Sequence, residues 1–566
     1  MLNFYDFEVF QEDWLAVFVN PIEHTECVIV NDGEKLKSLY EAHKNEVFVG
    51  YNSRNYDVYI FKSILCGMVP YYVSKWIIDD GLPGWQYSDE FRHIRLINFD
   101  VMMGYDSGLK SLEAFMGHDI HETSVPFDIK RKLTVAEIKK EIKYCHNDVV
   151  ETIEVFMRRK SEFDAALGII NTFRLPLDFL GKTNAQRVAH ILGGRGLQFD
   201  DEFDFPIADT LRLHKYAEYA EWYRRRENHN YDRQQVVQIA GVEHTLAWGG
   251  LHGAIPQYHG HGIYLMADVT AYYPSLQLRY KFGYRNMANP QNFEKIHKEN
   301  LRLKQLGDKA ARLPYKIADN CISGQLKDEH SPLYDPRENN AVCVNGQLLL
   351  VDLIEHLEPH IEQLIQSNTD GTLVKLSCAD DYDVIDDVVW EWEQRTGMRM
   401  EFEVYTDVFQ KDVNNYLLIG ADGHVKTKGA YTKALSDIDN DLPIVNKATV
   451  EYMLHGTEPE QTIGACDELQ MFQKVVKLSS KYWAVWHNGT YTRDKCHRVF
   501  ASTDSRDTYI GKTKKQGGTI EKFANTPKRC FIENGNVIGR RCPPNLDKQW
   551  YVDLTKERLK QYGVSI

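Results

Sequence analysis

The chain has 566 residues, of which 43% are hydrophobic and 26% are charged. This composition predicts a soluble protein of several domains with large buried cores. No apolar run approaches the roughly 18 residues that would cross a bilayer, and the first run carries Asp6 and Glu8, so we expect neither a membrane span nor a signal peptide. The ten cysteines show no zinc-type spacing, which predicts reduced thiols and a cytoplasmic location.

The net charge of −14 is unevenly distributed along the chain. Residues 471–566 carry 19 Lys and Arg against 8 Asp and Glu, a net charge of +11, and the preceding residues therefore carry −25. A basic segment attached to a carboxylate-rich body suits phosphate binding beside metal-dependent sites. A solvated charged surface is the simpler alternative, and charge alone does not decide between them.

The first 60 residues contain apolar-rich runs typical of neighbouring strands in one sheet. The predicted strands are 3–10, 14–19, 25–30 and 47–51. A helical period over about 134–160 places Tyr144 and Asp148 four residues apart on one face. Strands followed by helices predict an α/β domain that ends near Thr183.

The later elements are predicted from local breaks and apolar runs. A polar, arginine-rich stretch at 224–235 indicates a connection. Tyr264–Asp268 predicts a buried strand with Asp268 at its end. Beyond it we predict a basic helix over 293–306, a turn at 307–308, a second helix with Pro314 in its first turn, a helix over 348–365, a tight turn over 368–371 and a strand over 372–376.

Acidic residues recur in patterned neighbourhoods that helix or strand formation does not require. Asp6 and Glu8 lie two apart on a predicted strand, so both side chains point to one face and can hold one metal ion. Asp57 and Asp148 would complete a cage of four carboxylates, and Tyr144 could hydrogen-bond an attacking water. Clustered carboxylates repel one another and need cations between them, usually magnesium in phosphodiester chemistry.

This ordered set resembles the DEDD exonuclease superfamily, in the tyrosine-containing form that proofreads for DNA polymerases. The resemblance assigns Asp6, Glu8, Asp57 and Asp148 to metal binding. It also implies contacts with single-stranded DNA from Asn52 and from the Ser111-Leu112-Glu-Ala-Phe115 element. The alternative is that these acids are ordinary surface residues.

Three later segments, in order, resemble the motifs of family B DNA polymerases. Asp268-xxxx-Tyr273-Pro-Ser is similar to motif A, in which the Asp binds metal and the Tyr excludes a ribose 2′-hydroxyl. Lys316-xxx-Asn320-xxx-Gly324 is similar to motif B, in which the Lys binds the triphosphate. Asn368-Thr-Asp370-Gly is similar to motif C, which supplies a second metal-binding acid. The resemblance implies that Asp268 and Asp370 are catalytic and that Tyr273, Lys316 and Asn320 bind the nucleotide.

Further segments extend the resemblance. Lys304 and Arg312 stand at offsets before Lys316 where related polymerases bind the triphosphate, although a solvated helix face remains open for both. Trp248-Gly249-Gly250 resembles the YxGG element, with Ala247 at the Tyr position, and Lys426-Thr-Lys428-Gly-Ala-Tyr431 resembles the KxY region; both elements imply DNA contacts.

Three positions depart from the family pattern. Asn368 replaces the first acid of motif C, so one carboxylate fewer would reach the metal ions. Ser323 and Cys321 replace the usual Tyr and Ser of motif B, which puts nucleotide selectivity rather than chemistry in doubt. We therefore expect polymerase activity to be retained.

The implied architecture is a multi-domain α/β protein with an RNase H-like 3′–5′ exonuclease domain followed by a right-hand polymerase. The implied domains are the exonuclease over 1–190, a linker and first palm segment over 191–290, fingers over 291–325, palm over 326–430, and a thumb with a basic DNA grip over 431–566.

The resemblance also implies cofactors and partners. Each active site would hold two Mg²⁺ ions, with Mn²⁺ as a substitute. The expected partners are primer–template DNA, a single-stranded DNA 3′ end and dNTPs, bound by a monomer with no membrane association. Lys316 is only 48 positions after Asp268, which leaves no room for a large insertion and favours an ordinary primer over protein priming. The compact size resembles phage or prophage replicases, which act in the host cytoplasm.

Two alternatives remain open at this stage. The chain could be a 3′–5′ exonuclease whose polymerase half only binds DNA, as Asn368 and Ser323 suggest. It could also be a non-catalytic DNA-binding scaffold of replication with both sites decayed.

Overall fold

The computed structural model describes residues 1–120 and 122–566. Within them the chain is a mixed α/β structure with four sheets of five, nine, three and four strands, as the sequence predicts. Its contacts form two compact units: unit 1 comprises 1–183, 435–444 and 464–551, and unit 2 comprises 184–434, 445–463 and 552–566. In the described part, every helix is too short or too polar to span a bilayer.

The strands follow one another along the chain as β1 (Leu2–Val9), β2 (Trp14–Asn20), β3 (Thr25–Val30), β4 (Val47–Gly50), β5 (Asn98–Asp100), β6 (Gln235–Ile239), β7 (Val242–Leu246), β8 (His252–Ala254), β9 (Tyr258–Val269), β10 (Gln363–Asn368), β11 (Gly371–Leu376), β12 (Met400–Asp412), β13 (Asn415–Ile419), β14 (Val425–Lys428), β15 (Lys474–Lys477), β16 (Ala484–His487), β17 (Thr490–Thr492), β18 (Cys496–Ala501), β19 (Gly511–Thr513), β20 (Glu521–Lys522) and β21 (Cys530–Ile532).

The helices are α1 (Gly33–His43), α2 (Asp57–Leu65), α3 (Pro70–Ile78), α4 (Leu109–Met116), α5 (Val135–Arg158), α6 (Lys160–Thr172), α7 (Asn184–Leu192), α8 (Ala217–Arg224), α9 (Tyr272–Tyr280), α10 (Pro290–Gln305), α11 (Lys309–Gln325), α12 (Pro336–Leu357), α13 (Asp381–Thr396), α14 (Pro443–His455), α15 (Pro459–Ala465) and α16 (Lys548–Gln561).

Unit 1 is built on a five-stranded sheet with the order β3-β2-β1-β4-β5. The first three strands are antiparallel, and β4 and β5 join in parallel. Apolar side chains cover both faces: one core packs with α5, and the other, with Tyr5, Phe7 and Phe61, packs with α2. The four predicted strands and the helix α5 are confirmed.

Residues 464–551, which include most of the basic segment, also belong to unit 1 and contain two small sheets of orders β15-β18-β21 and β17-β16-β19-β20. Arg498 on β18 is fully buried, and its guanidinium donates to the carbonyl oxygens of Ala114 and His118, both at 2.9 Å. These bonds fix β18 to the end of α4.

Unit 2 is built on a nine-stranded sheet of order β14-β13-β12-β9-β11-β10-β8-β7-β6. The long helix α12, whose buried residues include Leu348 to Ile354, packs in its main core. The two-residue turn between β10 and β11 and the strand β9 are confirmed as predicted.

Two local predictions in unit 2 are wrong. Pro314 lies inside α11 rather than in its first turn, because Asp308 caps the helix by accepting from the Ala311 amide at 3.0 Å and so starts it at Lys309. The helix predicted over 348–365 begins earlier and ends at Leu357, and Gln363–Asn368 is a strand. That stretch is a strand because it pairs between β8 and β11, which no local pattern reveals.

Candidate functional sites

Two acids of β1 face helix α5. Side chains alternate along a strand, and the Phe4 ring lies 5.2 Å from that of Phe156 on α5, so Asp6 and Glu8 point to the same side as Phe4. Ligand atoms of Asp6, Glu8 and Cys145 lie within 4.8 Å of one another. The structure therefore brings the two acids together on one face.

Helix α5 supplies Tyr144 and Asp148 to this cluster. The Asp148 carboxylate accepts from the Lys110 ammonium at 2.6 Å, and the same ammonium lies 4.7 Å from the centre of the Tyr144 ring. Lys110 also donates to Glu113 at 2.9 Å. This lysine, which the sequence analysis did not single out, is a cation that pairs with an acid of the cluster.

Asp57, the fourth predicted acid, lies in the first turn of α2. Its carboxylate accepts from the Phe7 amide at 3.3 Å, which places it beside β1. Burial and the charge of Asp148 raise the pKa of Asp6 to about 7. Burial and the charge of Asp6 raise the pKa of Glu8 and of Asp57 well above the ordinary range. The four acids thus destabilise one another's ionised forms.

The donor set of the cluster fits a hard divalent cation. Carboxylate oxygens are the ligands that Mg²⁺ prefers, and a cation between Asp6 and Glu8 would relieve the repulsion that raises their pKa values. Burial raises the pKa of the Cys145 thiol, and the thiol donates to a carboxylate oxygen of Asp6 at 3.5 Å. Cys145 is therefore a hydrogen-bond donor to Asp6 rather than a thiolate ligand.

The residues expected to contact single-stranded DNA differ in exposure. Asn52 is exposed and has a left-handed backbone with φ 55°, and Phe115 is partly exposed. Leu112 is fully buried in the core beside α5, and Ser111 is also buried. The Leu112 side chain packs against the protein and has no surface exposed for DNA.

Asp100 is a further acid that the sequence analysis missed. It ends β5, it is buried, and its two carboxylate oxygens accept from the amides of Arg54 at 3.1 Å and Met102 at 2.9 Å. It contributes to the raised pKa of Asp57. In the fold, Asp100 lies beside the Asn52 segment. An acid at the end of a strand is the sequence signal by which it could have been found.

In unit 2 the register of two strands brings Asp268 and Asp370 together. Asp268 on β9 pairs with Gly371 on β11, and the Val269 amide donates to the Asp370 carbonyl at 2.7 Å. Burial raises the pKa of Asp268, Lys426 lowers it, and the charge of Asp370 raises it further. The two carboxylates therefore share one electrostatic environment.

Gly371 leaves room for the Asp268 carboxylate. A Cβ atom at this position would lie 2.1 Å from Asp268 Oδ1 and 2.7 Å from the Ala267 carbonyl oxygen. The space is therefore kept open by the absence of a side chain. The carboxylates of Asp268 and Asp370, beside this open space, are a donor set that fits divalent cations.

Next to this acid pair lies a cavity of about 350 Å³. It is bounded by α9, α10, α11 and the β10–β11 turn. All five residues predicted to bind the nucleotide line it together with Asp370; they are Tyr273, Lys304, Arg312, Lys316 and Asn320. Since α11 runs unbroken from Lys309 to Gln325, Arg312, Lys316, Asn320 and Ser323 present one face to the cavity.

Asn300 is a lining residue that the sequence analysis missed. It is buried, accepts from Arg312 Nε at 2.8 Å and donates to the Asp319 carboxylate at 2.8 Å. It orients the Arg312 guanidinium across the gap between α10 and α11. No local motif marks it, because its partners come from a different helix.

The segment similar to the KxY region contacts the acid pair. The Lys426 ammonium donates to Asp268 Oδ2 at 3.1 Å and to the Glu403 carboxylate at 2.6 Å. Lys428 is also on β14, and the Tyr431 ring lies 4.1 Å from the Arg558 guanidinium carbon. Lys426 thus belongs to the acid site, and Glu403 is a neighbouring acid that the sequence analysis missed.

The segment similar to the YxGG element packs inside unit 2. Trp248 is buried among aromatic rings, the nearest being Phe203 at 4.8 Å. A Cβ atom on Gly250 would lie 2.6 Å from Thr369 Oγ1, and the Gly249 carbonyl accepts from Gln347 at 2.6 Å. Trp248 fills a core, and the two glycines bring this segment close to the β10–β11 turn.

Comparison with solved structures shows that the chain has distant structural likenesses. No protein-family model matches the chain, and no curated protein matches it. It is similar to the solved structure of the family B DNA polymerase from the hyperthermophilic archaeon Pyrobaculum calidifontis, with 14% identity and a TM-score of 0.44, over 100% of this chain and 78% of that chain. At this level of similarity, the function has to be inferred from the residues of the chain itself.

Proposed function

We propose that the chain is a template-directed DNA polymerase that also carries a 3′–5′ exonuclease. The observation that supports the first activity best is the cavity of about 350 Å³, where residues from three separate segments meet. Three cations there, Lys304, Arg312 and Lys316, are beside the acid Asp370. Cations that grip a triphosphate next to acids that bind metal are what phosphoryl transfer requires.

The proposed synthesis is an in-line attack on a bound dNTP. The primer 3′-oxygen forms a bond to the α-phosphorus, the bond from that phosphorus to the bridging oxygen breaks, pyrophosphate leaves with the electron pair, and the hydroxyl proton passes to water. Lys316 and Arg312 neutralise the triphosphate, and Tyr273 closes the cavity against a 2′-hydroxyl. Divalent cations held by Asp268 and Asp370 would, when bound, acidify the hydroxyl and neutralise the leaving group.

The proposed hydrolysis takes place at the acid cluster of unit 1. Water adds to the phosphorus of the terminal nucleotide at a DNA 3′ end, the bond from that phosphorus to the penultimate 3′-oxygen breaks, a proton from the water reaches that oxygen through solvent, and a nucleoside monophosphate leaves. Tyr144 orients the water, and Lys110 holds Asp148 in place. Divalent cations held by Asp6, Glu8, Asp57 and Asp148 would, when bound, activate the water and neutralise developing charge.

The role we propose for this pair of activities is replication of a compact genome, such as that of a phage or prophage, in the host cytoplasm. The support is the short spacing of the three polymerase-like segments. Because Asn368 stands where motif C has an acid, the rival proposal of a nuclease with a DNA-binding half remains an outcome of the test below.

A labelled primer–template assay with Mg²⁺ tests both activities. We expect extension with dNTPs and shortening without them. Asp370→Asn should abolish extension alone, and Asp6→Ala with Glu8→Ala should abolish shortening alone. Asp422→Asn, at an exposed turn of unit 2, is the matched control and should change neither.

The outcomes separate the proposals. Shortening without any extension by the wild type would leave the nuclease with a DNA-binding half. Retention of a DNA gel shift with neither reaction would support the scaffold. Extension that survives Asp370→Asn would refute the assignment of this cavity.

A further inference from the structure

A second cavity adjoins the proposed nucleotide cavity in unit 2. It measures about 640 Å³ and is lined by residues of α9, α10 and the connection from α13 to β12. Thr270 and Lys304 line both cavities. These two residues therefore form part of the wall between them.

The wall is held by a backbone hydrogen bond from the Thr270 amide to the Arg399 carbonyl at 2.7 Å and by side-chain contacts. Glu401 accepts from the Thr270 hydroxyl at 2.8 Å and from the Lys304 ammonium. Lys304 is about one-third exposed and carries a long flexible stem, so its ammonium can turn to either cavity without movement of the backbone.

The second cavity is cationic, although the chain as a whole carries −14. Of its lining side chains, Arg279, Lys304 and Arg399 are cations and Glu401 is the anion. Arg279 Nε donates to the Thr396 carbonyl at 3.3 Å, and in the described part of the chain no carboxylate pairs with its guanidinium. A planar guanidinium left without a carboxylate suits a phosphate group.

Gly397 leaves space for this arginine. It has a left-handed backbone with φ 76°, and a Cβ atom there would lie 3.2 Å from Arg279 Cδ and Nε. The glycine therefore fits both the turn after α13 and the passage of the Arg279 side chain.

We infer that this second cavity binds inorganic pyrophosphate and is the route by which it leaves the proposed nucleotide cavity. The inference rests on the proposed polymerase activity. In the proposed reaction, pyrophosphate forms beside Lys304. The growing duplex and template would occupy the side of the acid pair, which leaves the side of the second cavity for the pyrophosphate. Lys304 can then pass the anion to Arg279 and Arg399. No bond is made or broken in this transfer, since the anion only exchanges cationic partners.

Titration of the full-length protein with inorganic pyrophosphate and Mg²⁺ tests the site directly. Lys316 lines only the nucleotide cavity. In Lys316→Ala, binding of pyrophosphate to that cavity should be weakened, so the remaining binding reports on the second cavity. Adding Arg279→Gln and Arg399→Gln to that background should weaken the remaining binding by about tenfold or more, since each removes a charge-assisted contact. Arg302→Gln, an exposed residue of α10 that pairs with Glu299 and lines neither cavity, is the control and should leave binding unchanged.

A kinetic measurement on the same two substitutions tests whether pyrophosphate leaves through the second cavity. After a single nucleotide addition, release of pyrophosphate, detected by a coupled phosphate sensor, should be slower by about tenfold in Arg279→Gln with Arg399→Gln.

Two results would overturn the inference: no pyrophosphate binding in Lys316→Ala, or equal binding after the two arginines are replaced. If the binding result holds but the wild type extends no primer, the polymerase proposal fails and the pyrophosphate site stands. If the wild type extends primers and the arginine changes alter neither binding nor release, the site fails and the polymerase proposal stands.

Discussion

Substitution of Gly371 by alanine should displace the acid at the centre of the proposed polymerase site. The added Cβ would lie 2.1 Å from Asp268 Oδ1, whereas real Cβ contacts stay beyond 3.0 Å. The carboxylate, or the β9–β11 strand pair that carries it, must therefore move by about 0.9 Å. Because the Ala267 carbonyl is also only 2.7 Å away, the backbone cannot simply absorb the change.

A misplacement of about 1 Å in a catalytic group costs on the order of a hundredfold in rate. Single-turnover primer extension with Mg²⁺ should therefore fall about a hundredfold in Gly371→Ala. Overpacking of a buried strand pair costs about 1–3 kcal/mol of stability, so the protein should still be folded by circular dichroism. Shortening of single-stranded DNA, which the proposal assigns to unit 1, should proceed at the wild-type rate.

The matched control is Gly464→Ala, in helix α15, where a Cβ atom would meet nothing within 4 Å. It should leave extension and shortening unchanged. Extension by Gly371→Ala within about threefold of the wild type would refute the reasoning, because the 0.9 Å displacement would then have no catalytic consequence.

Three further outcomes are expected. Lys316→Ala should raise the KM for dNTP by about tenfold or more, through loss of a charge-assisted contact, and equal KM values in a steady-state extension assay would contradict its place in the cavity. In EDTA and below about pH 7, the native state keeps a proton on Asp6, because the pKa of this carboxyl is raised from 3.8 to about 7. The free energy of unfolding therefore falls as pH rises between these two pKa values. Asp6→Asn should therefore gain Tm over the wild type as pH increases from 5 to 8, with the exposed Glu34→Gln as control, and a gain that does not grow with pH would count against the raised pKa. Lys110→Met should slow single-stranded DNA shortening by about tenfold or more, by freeing Asp148 from its 2.6 Å ion pair, while an unchanged rate with unchanged Tm would exclude a positioning role.

Local pattern was sufficient where the apolar period of an element or the residues at its ends are clear. Four strands of the first sheet, the helix α5 with its Thr134 capping box, and the two-residue turn before Gly371 occur where the sequence predicts them, whereas β5 was not predicted. In each case turn residues, caps or a regular apolar period mark the ends.

Local pattern failed where partners from elsewhere in the chain decide the conformation. Helix α12 is buried on nearly every side, so it shows no amphipathic period and its start at Pro336 was missed. Residues 363–365 were predicted as the end of a helix but begin a strand, Gln363–Asn368, inside a nine-stranded sheet. Trp248 and Leu112, for which the family resemblance implies DNA contacts, are both buried in cores.

The sequence by itself determined which acids, lysines and aromatic residues are available and how they are spaced on each strand or helix, because those properties depend only on residue type and on the repeat of the backbone. Only the tertiary structure decided which of them meet. It placed Lys110 against Asp148, Lys426 against Asp268, and residues 464–551 with the first 183 residues rather than with the nine-stranded sheet. Contacts between distant segments depend on how whole faces pack, and that information is not contained in any local stretch of the chain.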